Sequence, residues 1–133
     1  MNLTKKNILI VDDDPHVLKS IARFLKKQGY TVSTAPGGQE ALALMAKETQ
    51  DLVLLDALMP EMDGIETLEI IRQRYPDVDV VMISALKEEV VARAALDMGA
   101  YEWLIKPFSM EQLDRTIFTT FLHHGRFEES SYP

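Results

Sequence analysis

Ile8-Leu9-Ile10-Val11-Asp12-Asp13-Asp14-Pro15 is the stretch that decides how this chain folds. Four consecutive branched apolar residues stopped by acid read as a strand buried on both faces of a parallel sheet, meeting solvent at its carboxyl end. Leu52-Val53-Leu54-Leu55-Asp56 repeats the pattern. If the two strands are neighbours, Asp12, Asp13 and Asp56 share one pocket. Two carboxylates about 4 Å apart repel by roughly 4 kcal/mol at an effective dielectric near 20, so such a cluster raises a pKa or recruits a cation. A hard divalent ion held by oxygens answers that repulsion and points toward phosphate chemistry.

Outward from these runs, five apolar strands at residues 7–11, 31–35, 52–55, 79–83 and 101–105 alternate with amphipathic stretches. That alternation predicts an α/β domain with helices on both faces of a parallel sheet. Asp14-Pro15 opens the first helix as cap and first helical residue, Leu18, Ile21, Ala22 and Leu25 form its apolar stripe, and Gly29 ends it. The second helix follows Pro36-Gly37-Gly38 and turns Ala41, Leu44 and Met45 inward. The third begins near Gly64, with Ile65, Leu68 and Ile71 inside, Glu66, Glu69 and Arg72 outside, and Pro76 closing it. The fourth, Glu88 to Met98, lacks a start signal, and Glu89 and Arg93 form a surface pair on it. Ser109-Met110-Glu111-Gln112 is a capping box for the last helix, whose inward stripe is Leu113, Ile117 and Phe121. Phe118 and Leu122 widen that stripe into either a dimer or output surface or a helix end covered by the tail. From His123 to Pro133 the chain is polar and aperiodic, a frayed end or the start of a linker.

Composition narrows the chemistry. With 133 residues, 47% of them apolar, the chain is one domain with a real core. The absence of Cys excludes disulfides, thiolate metal sites and thiol nucleophiles. No apolar run approaches the ~18 residues of a membrane span and the amino terminus lacks a signal segment, so a soluble, cytoplasmic protein is expected, with no membrane contact. A net charge of −7, from 14 basic against 21 acidic residues with no Lys/Arg stripe that could follow a phosphate backbone, argues against direct nucleic-acid binding. Gly37-Gly38 fits no phosphate-loop pattern, and His16, His123 and His124 lack metal spacing and read as solvated.

In an open parallel sheet the reactive crevice lies outside the carboxyl ends of the strands. Asp12, Asp13, Asp56, Ser84 and Lys106-Pro107 all fall there, although each alone would pass as a cap, a turn residue or a solvated lysine. Taken in order, Ile8 to Pro15, then Asp56-Ala57-Leu58-Met59-Pro60-Glu61-Met62-Asp63-Gly64, then Ile83-Ser84-Ala85, then Lys106-Pro107-Phe108, the chain resembles the receiver domain of two-component response regulators over about residues 6–122. The resemblance implies a flavodoxin-like doubly wound (βα)5 three-layer sandwich of strand order 2-1-3-4-5, with the receiver domain at residues 1–122 and a polar tail or linker start at 123–133. It makes Asp56 the phospho-acceptor, and it assigns Asp12, Asp13, Asp56 and the backbone carbonyl of Leu58 to Mg²⁺, or Mn²⁺ in its place. Lys106 and Ser84 would hold the phosphoryl oxygens, and a cis Lys106-Pro107 bond is implied.

The same resemblance implies a switch in which Ser84 moves toward the phosphoryl group and an aromatic ring, here Trp103, moves behind it. Family members usually carry Tyr or Phe there, so the larger indole departs from the pattern, and packing at the edge of the fifth strand is its alternative role. By the same resemblance Leu58 and Leu86, two residues beyond Asp56 and Ser84, would flank the path of a hydrolytic water, and apolar side chains there cannot orient it, which predicts slow self-dephosphorylation. A sensor histidine kinase or histidine phosphotransfer protein would dock at His16, Val17, Ser20, Pro107 and Phe108. The fourth helix, fifth strand and fifth helix would face a downstream effector domain or protein, or a phosphorylation-dependent homodimer partner. Such a chain is a signalling acceptor, not an enzyme acting on other substrates. Two rivals are a haloacid-dehalogenase-like phosphatase, suggested by the Asp-x-Asp spacing in Asp12-Asp13-Asp14 but lacking its following Thr or Val at His16, and a receiver-like docking module that is never phosphorylated.

Overall fold

A computed structural model describes residues 6–59, 63–85 and 89–125. Ten elements alternate along the chain: β1 (Asn7–Val11), α1 (Pro15–Lys27), β2 (Thr31–Ala35), α2 (Gly38–Met45), β3 (Leu52–Asp56), α3 (Gly64–Arg74), β4 (Asp79–Ser84), α4 (Glu89–Asp97), β5 (Glu102–Ile105) and α5 (Met110–His123). The strands form one parallel sheet in the order β2-β1-β3-β4-β5, as the resemblance implied. β3 and β4 each run one residue further than the apolar pattern reached, so Asp56 and Ser84 are still held in the ladder. The fifth strand starts at Glu102 instead of Tyr101, α4 ends one residue early at Asp97, and Glu88 lies outside the described residues.

Alternation along the strands divides the core in two. Leu9, Val11, Val53, Leu55, Val80, Met82 and Trp103 point toward α2, α3 and α4, packing with Ala41, Met45, Leu68, Ile71 and Ala95. Ile8, Ile10, Leu52, Leu54, Val81, Ile83 and Leu104 point the other way, against Ile21 and Leu25 of α1 and Leu113, Ile117, Phe118 and Phe121 of α5. Phe118 is therefore a core residue with 7% exposure, which removes it from any docking surface, and Leu122 packs half-buried beside the same core.

Helix starts follow the local chemistry. The Asp14 side chain accepts from the His16 N–H at 2.9 Å with Pro15 at the first helical position, and Ser109 accepts from the Gln112 N–H at 2.9 Å. Asp63 caps α3 through the Glu66 N–H at 2.7 Å. Gly64 is fixed by close approach: a Cβ there would lie 2.1 Å from the Asp56 carbonyl oxygen and 2.6 Å from the Ala57 Cα. With the Gly64 N–H on the Ala57 carbonyl at 3.0 Å, that contact holds the start of α3 against the turn after Asp56.

Candidate functional site

Because β1 and β3 are adjacent, with Val11 opposite Leu55, their terminal acids converge as the apolar runs predicted. One oxygen each from Asp12, Asp13 and Asp56 lies within 4.8 Å of the others. Asp12 is fully buried, Asp56 is 4% exposed and Asp13 opens to solvent. The end of β5 contributes the cation: Lys106 directly follows Ile105, its N–H donates to the Ser84 carbonyl at 2.8 Å, and a cis peptide bond joins it to Pro107. The Lys106 Nζ sits 2.7 Å from Asp12 Oδ2 and 3.7 Å from Asp56 Oδ2. Asp12 Oδ1 accepts from the Asp14 N–H at 2.9 Å, and Asp56 Oδ1 accepts from the Leu58 N–H at 3.1 Å. Ser84 is fully buried at the end of β4, next to the strand that carries Asp56.

The charges do not balance locally, since three carboxylates face one ammonium. Burial raises the Asp56 carboxyl to about 6; the Leu58 N–H opposes this, Asp12 adds to it, Lys106 opposes it and Asp13 adds to it. Burial pulls the Lys106 ammonium down, but its hydrogen bond to Asp12 and the charges of Asp56, Asp12 and Asp13 carry it above its ordinary value. Hard oxygen donors, mutually close, partly open to solvent and in excess of cations fit a small divalent ion such as Mg²⁺. In this structure Lys106 supplies the neutralising charge, and it leans on Asp12 more than on Asp56.

His16, Val17, Ser20, Pro107 and Phe108, far apart in sequence, line one apolar groove of about 310 Å³ with Ile21, Lys106 and Met110. Trp103 is 9% exposed and packs into the core shared with Met82 and Ala95. Leu58 is 51% exposed beside the acid cluster, whereas Leu86 lies outside the described residues.

The sequence reading missed the opposite end of the sheet. His123 and His124 are not simply solvated: His124 Nδ1 lies 2.6 Å from Asp79 Oδ1, the Tyr101 hydroxyl and His123 Nδ1 are hydrogen-bonded, and both imidazoles pack against the Tyr101 ring. Arg72, expected on the outside of α3, donates to the carbonyls of Val78 and Pro76. The missed signal was Asp79 at the first position of a buried strand, an acid that needs a partner.

A doubly wound receiver-type sheet with an acid cluster and a lysine at its carboxyl edge defines the class. The sequence profile of the response regulator receiver domain matches residues 8–118, and the chain belongs to that family. Relatives include the response regulator MprA of Mycolicibacterium vanbaalenii, 41% identical over 80% of this chain and 46% of that protein. Another is a probable C4-dicarboxylate response regulator, DctR, of Bacillus subtilis, 38% identical over 83% of this chain and 50% of that protein. The chain thus spans about half the length of these relatives. Among solved structures, a CheY-like response regulator receiver domain protein of Methanospirillum hungatei superposes with a TM-score of 0.87 at 30% identity, over 91% of this chain and 97% of that one. The CheX-CheY-BeF3-Mg complex of Borrelia burgdorferi gives a TM-score of 0.84 at 32% identity, over 87% of this chain and 89% of that one. The family match displaces the phosphatase alternative, and no helix among the described residues is long and apolar enough to cross a membrane.

Proposed function

We propose that this receiver domain accepts a phosphoryl group on Asp56 from a phosphohistidine of a sensor kinase or phosphotransfer protein. One observation carries the assignment: Asp56 alone combines the end of a buried central strand, a 3.7 Å approach of Lys106 and a place in the acid cluster without a short ion pair of its own. Asp12, by contrast, is committed to Lys106 and to the Asp14 N–H, which disfavours it as the nucleophile. An Asp56 oxygen attacks phosphorus and the P–N bond breaks with its electron pair returning to the imidazole nitrogen, the ring leaving as neutral imidazole because its other nitrogen carries a proton. Lys106 moves from Asp12 toward the new phosphoryl oxygens, and the Ser84 hydroxyl donates to another of them.

Mg²⁺, held by Asp12, Asp13, Asp56 and the Leu58 carbonyl, would supply charge neutralisation and in-line orientation. Phosphorylation replaces one carboxylate charge with about two, enough to draw Ser84 and Lys106 inward. Val90 of α4 and Ile105 of β5, 81% and 42% exposed, give the α4-β5-α5 face apolar points of contact for an effector or a second copy. The groove at His16, Val17, Ser20, Pro107 and Phe108 borders Lys106 and would receive the kinase side. The domain acts on itself and signals; in the length left over in its relatives, an attached effector is the natural output.

Mass spectrometry after incubation with acetyl phosphate and Mg²⁺ tests the acceptor. One phosphoryl adduct on the Asp56 peptide, lost in Asp56→Asn, is the expected result. An adduct on Asp12, or none in the wild-type protein, overturns the reading.

A further inference from the structure

Helix α1 separates two grooves, and only one of them belongs to the site described above. On its far flank, Pro15, Leu18, Lys19, Ala22, Arg23 and Lys26 border a groove of about 520 Å³ against Thr34 of the edge strand β2. Lys19, Arg23 and Lys26 follow i, i+4, i+7 spacing, so they form one stripe about 10 Å long. All three are exposed, and none has a carboxylate partner among the described residues. In a chain of net charge −7 this stripe is a local inversion of sign, which the linear sequence conceals because its three cations are spread over eight residues. Half-buried Leu18 and Ala22 provide an apolar floor beneath the cations.

β2 supplies the second half of the argument. Among the described residues it pairs only with β1, and the Thr31 N–H on the Lys6 carbonyl and the Ala35 carbonyl on the Asp12 N–H show which residues face β1. By the alternation of a parallel ladder, Val32 and Thr34 turn their backbone N–H and C=O groups outward. Their side chains share the α1 face, because they pair in register with Ile8 and Ile10 of that face.

We propose that this groove docks an extended acidic segment of a partner protein. The segment adds as a strand to the outer edge of β2, sets one apolar side chain on Leu18 and Ala22, and places carboxylates at alternate positions against Lys19, Arg23 and Lys26. A short peptide fits better than a nucleic acid: its charge stays within about 8 Å of the stripe, whereas a longer polyanion extends past three cations on a chain whose net charge is −7.

A fluorescein-labelled peptide, Glu-Thr-Val-Thr-Glu-Thr-Glu, titrated by anisotropy against the whole chain reads the site directly. Binding that weakens with added salt, falls on the order of tenfold or more in the triple variant K19E/R23E/K26E, and survives the equal charge change K47E/R74E/R115E is expected. Thr34→Pro removes an outward N–H at an edge position that tolerates proline, leaves the charges intact, and should weaken binding severalfold; retention of the helical circular dichroism checks its fold. No binding, or binding indifferent to the triple reversal, overturns the proposal. So does equal binding of oligothymidylate, and so does binding that appears only after removal of residues 126–133, which would make the chain's own tail the occupant.

Discussion

At the carboxyl end of the sheet, Asp12 and Asp56 lie 2.7 and 3.7 Å from Lys106; at the amino end, Asp79 lies 2.6 Å from His124. Both ends bury an aspartate against a basic side chain from a later element. They differ in stoichiometry. Asp13 joins the first site, so three acids share one ammonium, and the Asp56 carboxyl is driven up to about 6, chiefly by burial. At the second site one imidazole and one carboxylate meet, and Tyr101 fills the remaining space against both histidines. A buried acid becomes chemically available when acids outnumber the cations that face them; where a carboxylate and an imidazole close on each other, the pair is a clasp. The amino-end group thus fastens the last turn of α5 to the starts of β4 and β5.

Removing Lys106 should break the comparison most severely. Lys106→Ala leaves the acids without their ammonium and the phosphoryl oxygens without a donor. Phosphorylation by acetyl phosphate, followed by stopped-flow Trp103 emission, should slow by about 10²–10³-fold, the usual cost of one oxyanion-stabilising donor. His124→Gln at the other end should leave that rate unchanged. Equal rates for Lys106→Ala and the wild type would remove the functional distinction between the two ends.

The next effect is a pH dependence carried by Asp56. Its folded pKa of about 6 lies above the ordinary value of 3.8, so the folded state binds the proton more tightly. The stabilisation is fully present below 3.8 and is lost as pH rises through 6, an excursion of about 3 kcal/mol for a shift of two units. Lys106, also shifted upward, loses its contribution only in the alkaline range and does not interfere. Chemical denaturation in EDTA should show the wild type losing stability relative to Asp56→Asn between pH 4.5 and 7.5. Parallel stabilities for the two proteins across that range would show that the acid excess is not felt at Asp56.

Much of this contrast was legible in the residues, and the unread part has a physical cause. Uninterrupted apolar runs fixed β1 and β3, and an acid directly after each run marked the site, because a doubly buried strand leaves no other place for charge. The cap at Asp14 and the box at Ser109 located two helix starts to the residue. Phe118 was ambiguous, because a helix packed against both a sheet and α1 buries a wider arc than a single stripe. His123, His124 and Arg72 were misread for a different reason. The histidines meet Tyr101 and Asp79 only through the tertiary packing of α5 on the sheet, and Arg72 folds back onto the Pro76 and Val78 carbonyls of the turn that follows its own helix. No periodicity in the sequence encodes such contacts.

Breaking the clasp should cost much less than breaking the site. Asp79→Asn removes a charge that is 7% exposed, but its partner His124 is 43% exposed and screened by solvent. A loss of about 1 kcal/mol, or roughly 4 °C in Tm, is expected, with phosphoryl acceptance unchanged. An altered acceptance rate would mean that β4 couples its two ends.

The smallest effect sharpens the carboxyl end alone. Leu58 follows Asp56 by two residues, its N–H holds Asp56 Oδ1, and its side chain is 51% exposed beside the acids. An apolar side chain in that place offers an attacking water neither donor nor acceptor, so the phosphoryl group should outlive its formation by minutes or longer. Leu58→Asn introduces both groups while keeping the backbone contact. It should shorten the phosphoryl half-life severalfold, about 1 kcal/mol in the barrier, when decay is followed by phosphate release. A half-life of seconds in the wild-type domain, or one unaffected by Leu58→Asn, would show that hydrolysis is governed elsewhere in the nest, with Lys106 and the acids setting both the making and the breaking of the bond.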